Sequence, residues 1–212
     1  MKLGPAFAVI PIKRFDHGKT RLGELLGADD RGQLAQRMFE HVLAASLGCS
    51  ALAGVVVVSD SPEIARLARE RGAQALSDPP LAADDPRARL AQVVDAALEH
   101  LRGQHAGAAL VLMADLPLLR SSDLDPLLAA LEHADLVLAA DARGQCTNAL
   151  ALRLDRAVQF QNAFGSAQSL ALHEARARAL GLSLRREPNP RLALDIDLPA
   201  DLDVLARSRE DT

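Results

Sequence analysis

Two kinds of hydrophobic pattern alternate along the chain. The first kind is a short run of unbroken apolar residues, as at 7–12, 55–58, 110–113 and 136–139. Such runs suit strands covered on both faces, the usual state of a parallel sheet. The second kind returns an apolar residue every three or four positions, the period of a helix with one buried face. Leu34, Met38, Val42 and Leu43 form such a stripe, in a helix predicted from a cap at Asp29 or Asp30 to about Leu47 and stopped by Gly48. Pro62 starts the next helix, which runs to Gly72. Asp84, Asp85 and Pro86 start another, whose buried face is Leu90, Val93, Val94, Ala97, Leu98 and Leu101. Ser121, Ser122 and Asp123 cap a helix to about His133, and a further helix opens within 164–169 and runs through Leu180. Short strands are predicted at 73–76, 149–152, 184–186 and 192–196, with a last helix starting in 195–202. Strands alternating with helices predict an α/β fold: a Rossmann-like, mostly parallel sheet with helices on both faces, in one domain over 1–212.

Composition narrows the function classes. About half of the 212 residues are hydrophobic (49%), but there is no Trp, no Tyr and only five Phe. The core is therefore aliphatic, and platforms for stacking single-stranded bases are missing. The formal net charge of −4 gives no basic field for nucleic acid. Cys49 and Cys146 match no zinc spacing and make no disulfide framework, so a reduced, cytoplasmic protein is expected. No segment reads as a signal peptide or a membrane span.

Candidate chemistry gathers where strands end. Asp115 follows the 110–113 run, and Pro117 ends pairing there because it has no N–H for the ladder. An acid at the carboxyl end of a buried strand lies where open α/β sheets bind ligands, and it suits a divalent metal held against phosphates. In isolation a capping or turn aspartate is the favoured reading, and the rest of the chain raises the metal reading. Asp197 is a second strand-end carboxylate. After the first strand, Lys13, Arg14, Lys19 and Arg21 surround Gly18, a set that fits a phosphate site or a solvated basic loop; the Walker spacing is missing. Thr147 and Asn148 sit in a polar loop and could bind a small acid or their own backbone. Gly165, Ser166 and Ser169 open a helix whose N-terminus offers free N–H groups to an anion. His173 on that helix leans toward the site, and His41 reads as structural. No nucleophile with a partnered base stands out. The set favours nucleotidyl transfer by direct attack of one substrate's phosphate on the α-phosphorus of the other.

Six stretches carry a resemblance: Ile10-Pro11-Ile12-Lys13, Lys19-Thr20-Arg21-Leu22, Ala114-Asp115-Leu116-Pro117, Thr147-Asn148-Ala149-Leu150, the 165–173 segment, and Asp195-Ile196-Asp197. In that order the chain resembles the 2-phospho-L-lactate guanylyltransferase family, whose bacterial variants use phosphoenolpyruvate or 3-phosphoglycerate, in coenzyme F-420 biosynthesis. The resemblance implies GTP as co-substrate, Mg2+, a phosphorylated three-carbon acid and no macromolecular substrate; a homodimer is a fold-level expectation. Carried over by position, Lys13, Lys19 and Arg21 bind the GTP phosphates, and Asp115 and Asp197 hold the metal. Thr147, Gly165 and Ser169 hold the acceptor. Two departures stand out. The family's Gly-Leu-Asn reads Arg89-Leu90-Ala91-Gln92, which makes Gln92 the candidate nucleotide contact. The 165–169 segment is one residue longer than the family pattern leads one to expect, so Ser166 is the alternative to Ser169. The rival readings are a molybdopterin or sugar-phosphate nucleotidyltransferase of the same fold, or a non-catalytic nucleotide-binding module. The lone Gly18 counts against the first, and the retained Asp115 and Asp197 against the last.

Overall fold

The computed structural model describes residues 3–15, 19–78 and 86–210. Gly18 and the Asp84–Asp85 helix start lie outside the described residues. The elements in order are β1 (Ala6–Pro11), α1 (Ala28–Leu47), β2 (Gly54–Val58), α2 (Pro62–Glu70), β3 (Gln74–Leu76), α3 (Pro86–Gly103), β4 (Ala108–Leu112), α4 (Leu124–Ala130), β5 (Leu136–Ala140), β6 (Thr147–Arg153), α5 (Ser169–Ala179), β7 (Leu184–Arg186), α6 (Pro190–Ala193) and α7 (Pro199–Glu210).

One seven-stranded sheet runs β3-β2-β1-β4-β6-β5-β7. Strands β1 to β4 are mutually parallel, as are β5 and β7. Strand β6 runs antiparallel to both of its neighbours, β4 and β5. The strand period of two sorts the core. Ala8, Ile10, Val55, Val57, Leu110 and Leu112 face α1, α2 and α4. Val9, Val56, Val58, Val111 and Leu150 face α3 and α5. Both faces are covered, which is why the strand sequences are apolar throughout. No helix among the described residues is long and apolar enough to cross a membrane.

Several boundaries differ from the sequence reading, each for a local reason. Gly27 occupies the cap of α1, and Asp29 and Asp30 fall inside its first turn, where they complement the helix dipole. The helix predicted after Ser121 is a 3-10 turn (Ser121–Asp123) followed by the short α4. The strand predicted at 192–196 is instead α6 and an extended segment. Asn189 starts that helix, its side-chain oxygen accepting from the N–H groups of Arg191 (2.9 Å) and Leu192 (3.2 Å), with Pro190 next in line.

The reversal at β6 builds the site. Because β6 runs against β4, its first residues lie beside the last of β4: Leu112 pairs with Ala149, and the Met113 N–H donates to the Asn148 carbonyl at 3.0 Å. Thr147 and Asn148 are therefore strand residues in the sheet, not loop residues. One edge of the sheet thus gathers the carboxyl ends of β1 to β4 and the amino end of β6.

Candidate active site

Asp115 stands three residues past β4, on a turn pinned by the fully buried Leu116 and nearly buried Leu119. The extended segment after α6 crosses beside it, with the Ile196 N–H donating to the Asp115 carbonyl at 3.3 Å. That segment carries Asp195 and Asp197 on the same side. One carboxylate oxygen from each of Asp115, Asp195 and Asp197 lies within 4.8 Å of the others. Three hard oxygen donors at that spacing fit a Mg2+-sized cation, which in such sites also takes waters and substrate phosphate. Asp195 did not stand out by itself in the sequence. The available signal was the Asp-Ile-Asp alternation, because in an extended segment residues i and i+2 share a face.

The surroundings hold this triad in place. Asn148 donates through Nδ2 to Asp195 (3.2 Å) and to the Leu192 carbonyl (3.0 Å). The Asp201 carboxylate accepts from the N–H groups of Asp197 (2.9 Å) and Leu198 (2.6 Å), and Arg143 pairs with Asp201 at 2.7 Å. Lys19 sits at the mouth of the triad: its Nζ bonds Asp115 Oδ2 and lies 2.9 Å from Asp197 Oδ1. Its backbone is left-handed (φ 56°), at the start of a 3-10 turn, Thr20–Leu22, that is anchored by the buried Leu22. Such a backbone costs a non-glycine residue roughly 1–2 kcal/mol, and here it carries the side chain inward, to 10% exposure.

Electrostatics divide the three acids. Burial, then the neighbouring charges of Asp115 and Asp197, push the Asp195 carboxyl up to about 6. Burial pushes Asp197 the same way, but Lys19, Arg21 and Arg143 prevail and hold it below the usual carboxylate range. Burial works to lower the Lys19 pKa, and the two carboxylates overcome it, so the ammonium form is held more firmly than usual.

A cleft leads away from Asp115 across the sheet edge. Lys13, Arg14, Lys19, Asp78, Arg89 and Asp115 supply its charged walls, and Val58, Leu90 and Val93 are among its apolar ones. Lys13 is exposed at its rim. Arg21 Nη1 reaches Asp197 at 3.9 Å. From α3 the cleft is lined by Arg89, Leu90 and Val93; Gln92 is not among its lining residues. Sequence reasoning missed Asp78, which lies in a stretch that reads only as a polar, Pro-rich loop.

On the β6 side, the hydroxyls expected to hold the acceptor are engaged inside the protein. The Thr147 N–H donates to Ser169 Oγ (3.0 Å), and Thr147 Oγ1 meets His173 Nδ1 (2.9 Å). The Ala163 N–H donates to His173 Nε2 (2.7 Å), so Nε2 carries no proton and Nδ1–H donates to the threonine. Helix α5 starts only at Ser169. Thr147, Ser169 and His173 are all buried, whereas Gly165 and Ser166 are half-buried. His173 thus lies in the core and not at the site, against Phe164 at a ring distance of 4.9 Å. Burial, with Arg176 nearby, lowers its pKa to about 3. An imidazole neutral in the fold and titrating near 6.5 when unfolded gives stability that is complete above about pH 6.5 and drains away as pH falls toward 3. The urea midpoint is expected to drop on going from neutral pH to about pH 4.5, and His173→Gln to lessen that drop. Equal drops in the two proteins would remove His173 as the cause.

Comparison with known proteins follows this geometry. The family model described as "Guanylyl transferase CofC like" matches residues 6–211. A phosphoenolpyruvate guanylyltransferase of Sphaerobacter thermophilus is 40% identical over 199 residues, covering 94% of this chain and 91% of that protein. A 3-phospho-D-glycerate guanylyltransferase of Phenylobacterium zucineum is 35% identical over 204 residues, covering 95% and 90%. Among solved structures, one from Desulfovibrio desulfuricans G20 assigned to the nucleotide-diphospho-sugar transferases superposes with a TM-score of 0.78 at 18% identity, over 98% of this chain and 88% of that one. The last likeness concerns the fold alone. The sequence likeness spans nearly the whole chain, from β1 through the acid triad to α7, and on that extent the chain belongs to the CofC-like guanylyl transferases, a family of nucleotidyltransferase enzymes.

Proposed function

We propose that this enzyme transfers GMP from GTP to a phosphorylated three-carbon acid in coenzyme F-420 biosynthesis. Phosphoenolpyruvate and 3-phosphoglycerate, named in the relatives above, are the first acceptors to consider, with 2-phospholactate third. The observation that carries this reading is the convergence of Asp115, Asp195 and Asp197 at the end of a cleft lined by Lys13 and Lys19. An acceptor phosphate oxygen attacks the α-phosphorus of GTP. A new P–O bond forms as the bond to the bridging oxygen of the β-phosphate breaks, and pyrophosphate leaves. Asp115, Asp195 and Asp197 would hold Mg2+, which would supply neutralisation of phosphate charge. Lys13, Lys19 and Arg21 bind the phosphates. No residue forms a covalent intermediate, so catalysis rests on positioning and charge. Gly165 and Ser166 are the acceptor contacts within reach of solvent, while Thr147 and Ser169 shape that wall from inside.

Pyrophosphate release tests the reading. Purified enzyme with Mg2+ is given each of the common nucleoside triphosphates against the three acceptors, with a sugar phosphate and molybdopterin as controls. Release with GTP and one of the three-carbon acids is expected. Release only with a control acceptor, or only with another triphosphate, would leave nucleotidyl transfer standing and remove this substrate pair.

A further inference from the structure

The cleft has a direction. It starts at Asp115 beyond β4, passes Lys13 beyond β1 and Val58 at the end of β2, and reaches Asp78 two residues beyond β3. These strands are successive neighbours in the sheet, so the path covers three strand spacings, about 14 Å. The acid triad and Lys19 fix the phosphates at the β4 end, which leaves the β3 end for the base. There Val58, Leu90 and Val93 give apolar walls suited to a flat ring, and Asp78 is the acid among them.

Among the described residues Asp78 is poorly supplied with donors. Its side chain is 13% exposed, and its hydrogen bond among the described residues is a long one, from Arg89 Nη2 to Oδ2 at 3.4 Å. Arg89 is shared, lying 3.8 Å from Asp60 as well. Burial and the Asp60 charge raise the Asp78 pKa, and Arg89 and Lys13 counter them only in part. A desolvated carboxylate in this condition gains from any pair of N–H groups brought to it.

We propose that Asp78 is the guanine-reading residue, its carboxylate accepting from N1–H and the N2 amino group of the base. The assignment rests on the GTP reading above. Among the common bases only guanine presents two adjacent donors of that kind. Adenine turns an acceptor nitrogen toward the acid, cytosine sets a ring acceptor beside its amino group, and uracil offers one N–H between two carbonyls. A site built around an acceptor pair rejects bases that meet it with lone pairs. Arg89 is then a positioning residue that holds the carboxylate from α3.

The test compares GTP, ITP and XTP, with saturating acceptor and Mg2+, in the natural enzyme and in Asp78→Asn. Inosine lacks the N2 amino group, and xanthosine replaces it with a carbonyl. The natural enzyme is expected to prefer GTP to either analogue by tenfold or more in kcat/KM. Asp78→Asn should lose tenfold or more with GTP, mainly in KM, and gain with XTP, because a carboxamide donates to the new carbonyl and accepts from N1–H. The acceptor KM should not move. An Asp78→Asn enzyme that keeps the natural order of the three triphosphates overturns the assignment while leaving the GTP reading intact. Equal use of GTP, ITP and XTP by the natural enzyme overturns it without any variant, so a misfolded mutant does not protect it. Preference of the natural enzyme for ATP, CTP or UTP in the pyrophosphate-release assay above overturns the GTP reading itself, and Asp78 with it.

Discussion

Asp195→Asn is expected to lower turnover by about a hundredfold or more at saturating substrates and Mg2+. The substitution preserves shape and volume and removes the charge. Among the described residues Lys19 pairs with Asp115 and Asp197, and the side-chain hydrogen bond of Asp195 comes from Asn148, 3.2 Å away, a bond that an amide oxygen accepts equally well. The fold therefore has little reason to change, and a melting curve run beside the assay verifies it. What changes is the donor set, from three carboxylates to two, at the point where negative charge gathers in the transition state. The requirement for Mg2+ should rise along with the fall in turnover. Near-natural turnover in a folded Asp195→Asn protein would remove this residue from the metal site and leave Asp115 and Asp197 to act as a pair.

Lys19→Met should produce the second large effect, in two separable parts. Turnover should fall about a hundredfold, because a cation that neutralises phosphate charge is lost. Stability without metal should also fall. In the natural protein the Lys19 ammonium is the countercharge for two of three crowded carboxylates. Removing one partner of a fully buried pair costs roughly 3–5 kcal/mol. Asp115 and Asp197 keep 25% and 42% of their side-chain surface, so solvent screening reduces the expected loss to about 1–2 kcal/mol. Added Mg2+ should then raise the melting temperature of Lys19→Met more than that of the natural protein, since it replaces a missing charge. Equal shifts in the two proteins would show that Lys19 does not act as the countercharge of the three aspartates.

The parts of the structure legible in the sequence were those with one dominant cause. Strands such as β1, β2 and β4 are buried on both faces, and nothing but an unbroken apolar run satisfies that. Asp115 is legible as a candidate because a carboxylate directly after such a run lies where open α/β sheets bind ligands, although a turn residue explains it as well. The failures come from tertiary partners. Thr147 and Asn148 are polar and follow a Gly-containing turn, so they read as loop; they are strand residues because β4 supplies the pairing and α5 and Asp195 take up their polar groups. The 192–196 stretch is apolar enough for a strand, yet Asn189 and Pro190 turn its first half into helix. Asp78 gave no sign at all. Its candidacy comes from standing at the far end of a cleft whose other end is 37 residues along the chain, at Asp115, a relation that neither spacing nor periodicity encodes.

The lattice of bonds joining Thr147, Ser169, His173 and Ala163 bears on how this enzyme could come to accept a different small acid. The wall proposed to face the acceptor is also an internal seam between β6 and α5. A substitution at Thr147 made to suit a new acceptor would strand the His173 ring nitrogen, and one at Ser169 would strand the Thr147 amide. Changes at these positions are therefore coupled to one another and to folding, and single steps carry a penalty that only a compensating second step relieves. Ser166 has its hydroxyl outside the seam, half-buried, where among the described residues it accepts from the Gln168 N–H at 3.2 Å. Libraries aimed at new acceptor preferences should find their viable single variants there, and should find variants of Thr147 and Ser169 mostly in combination.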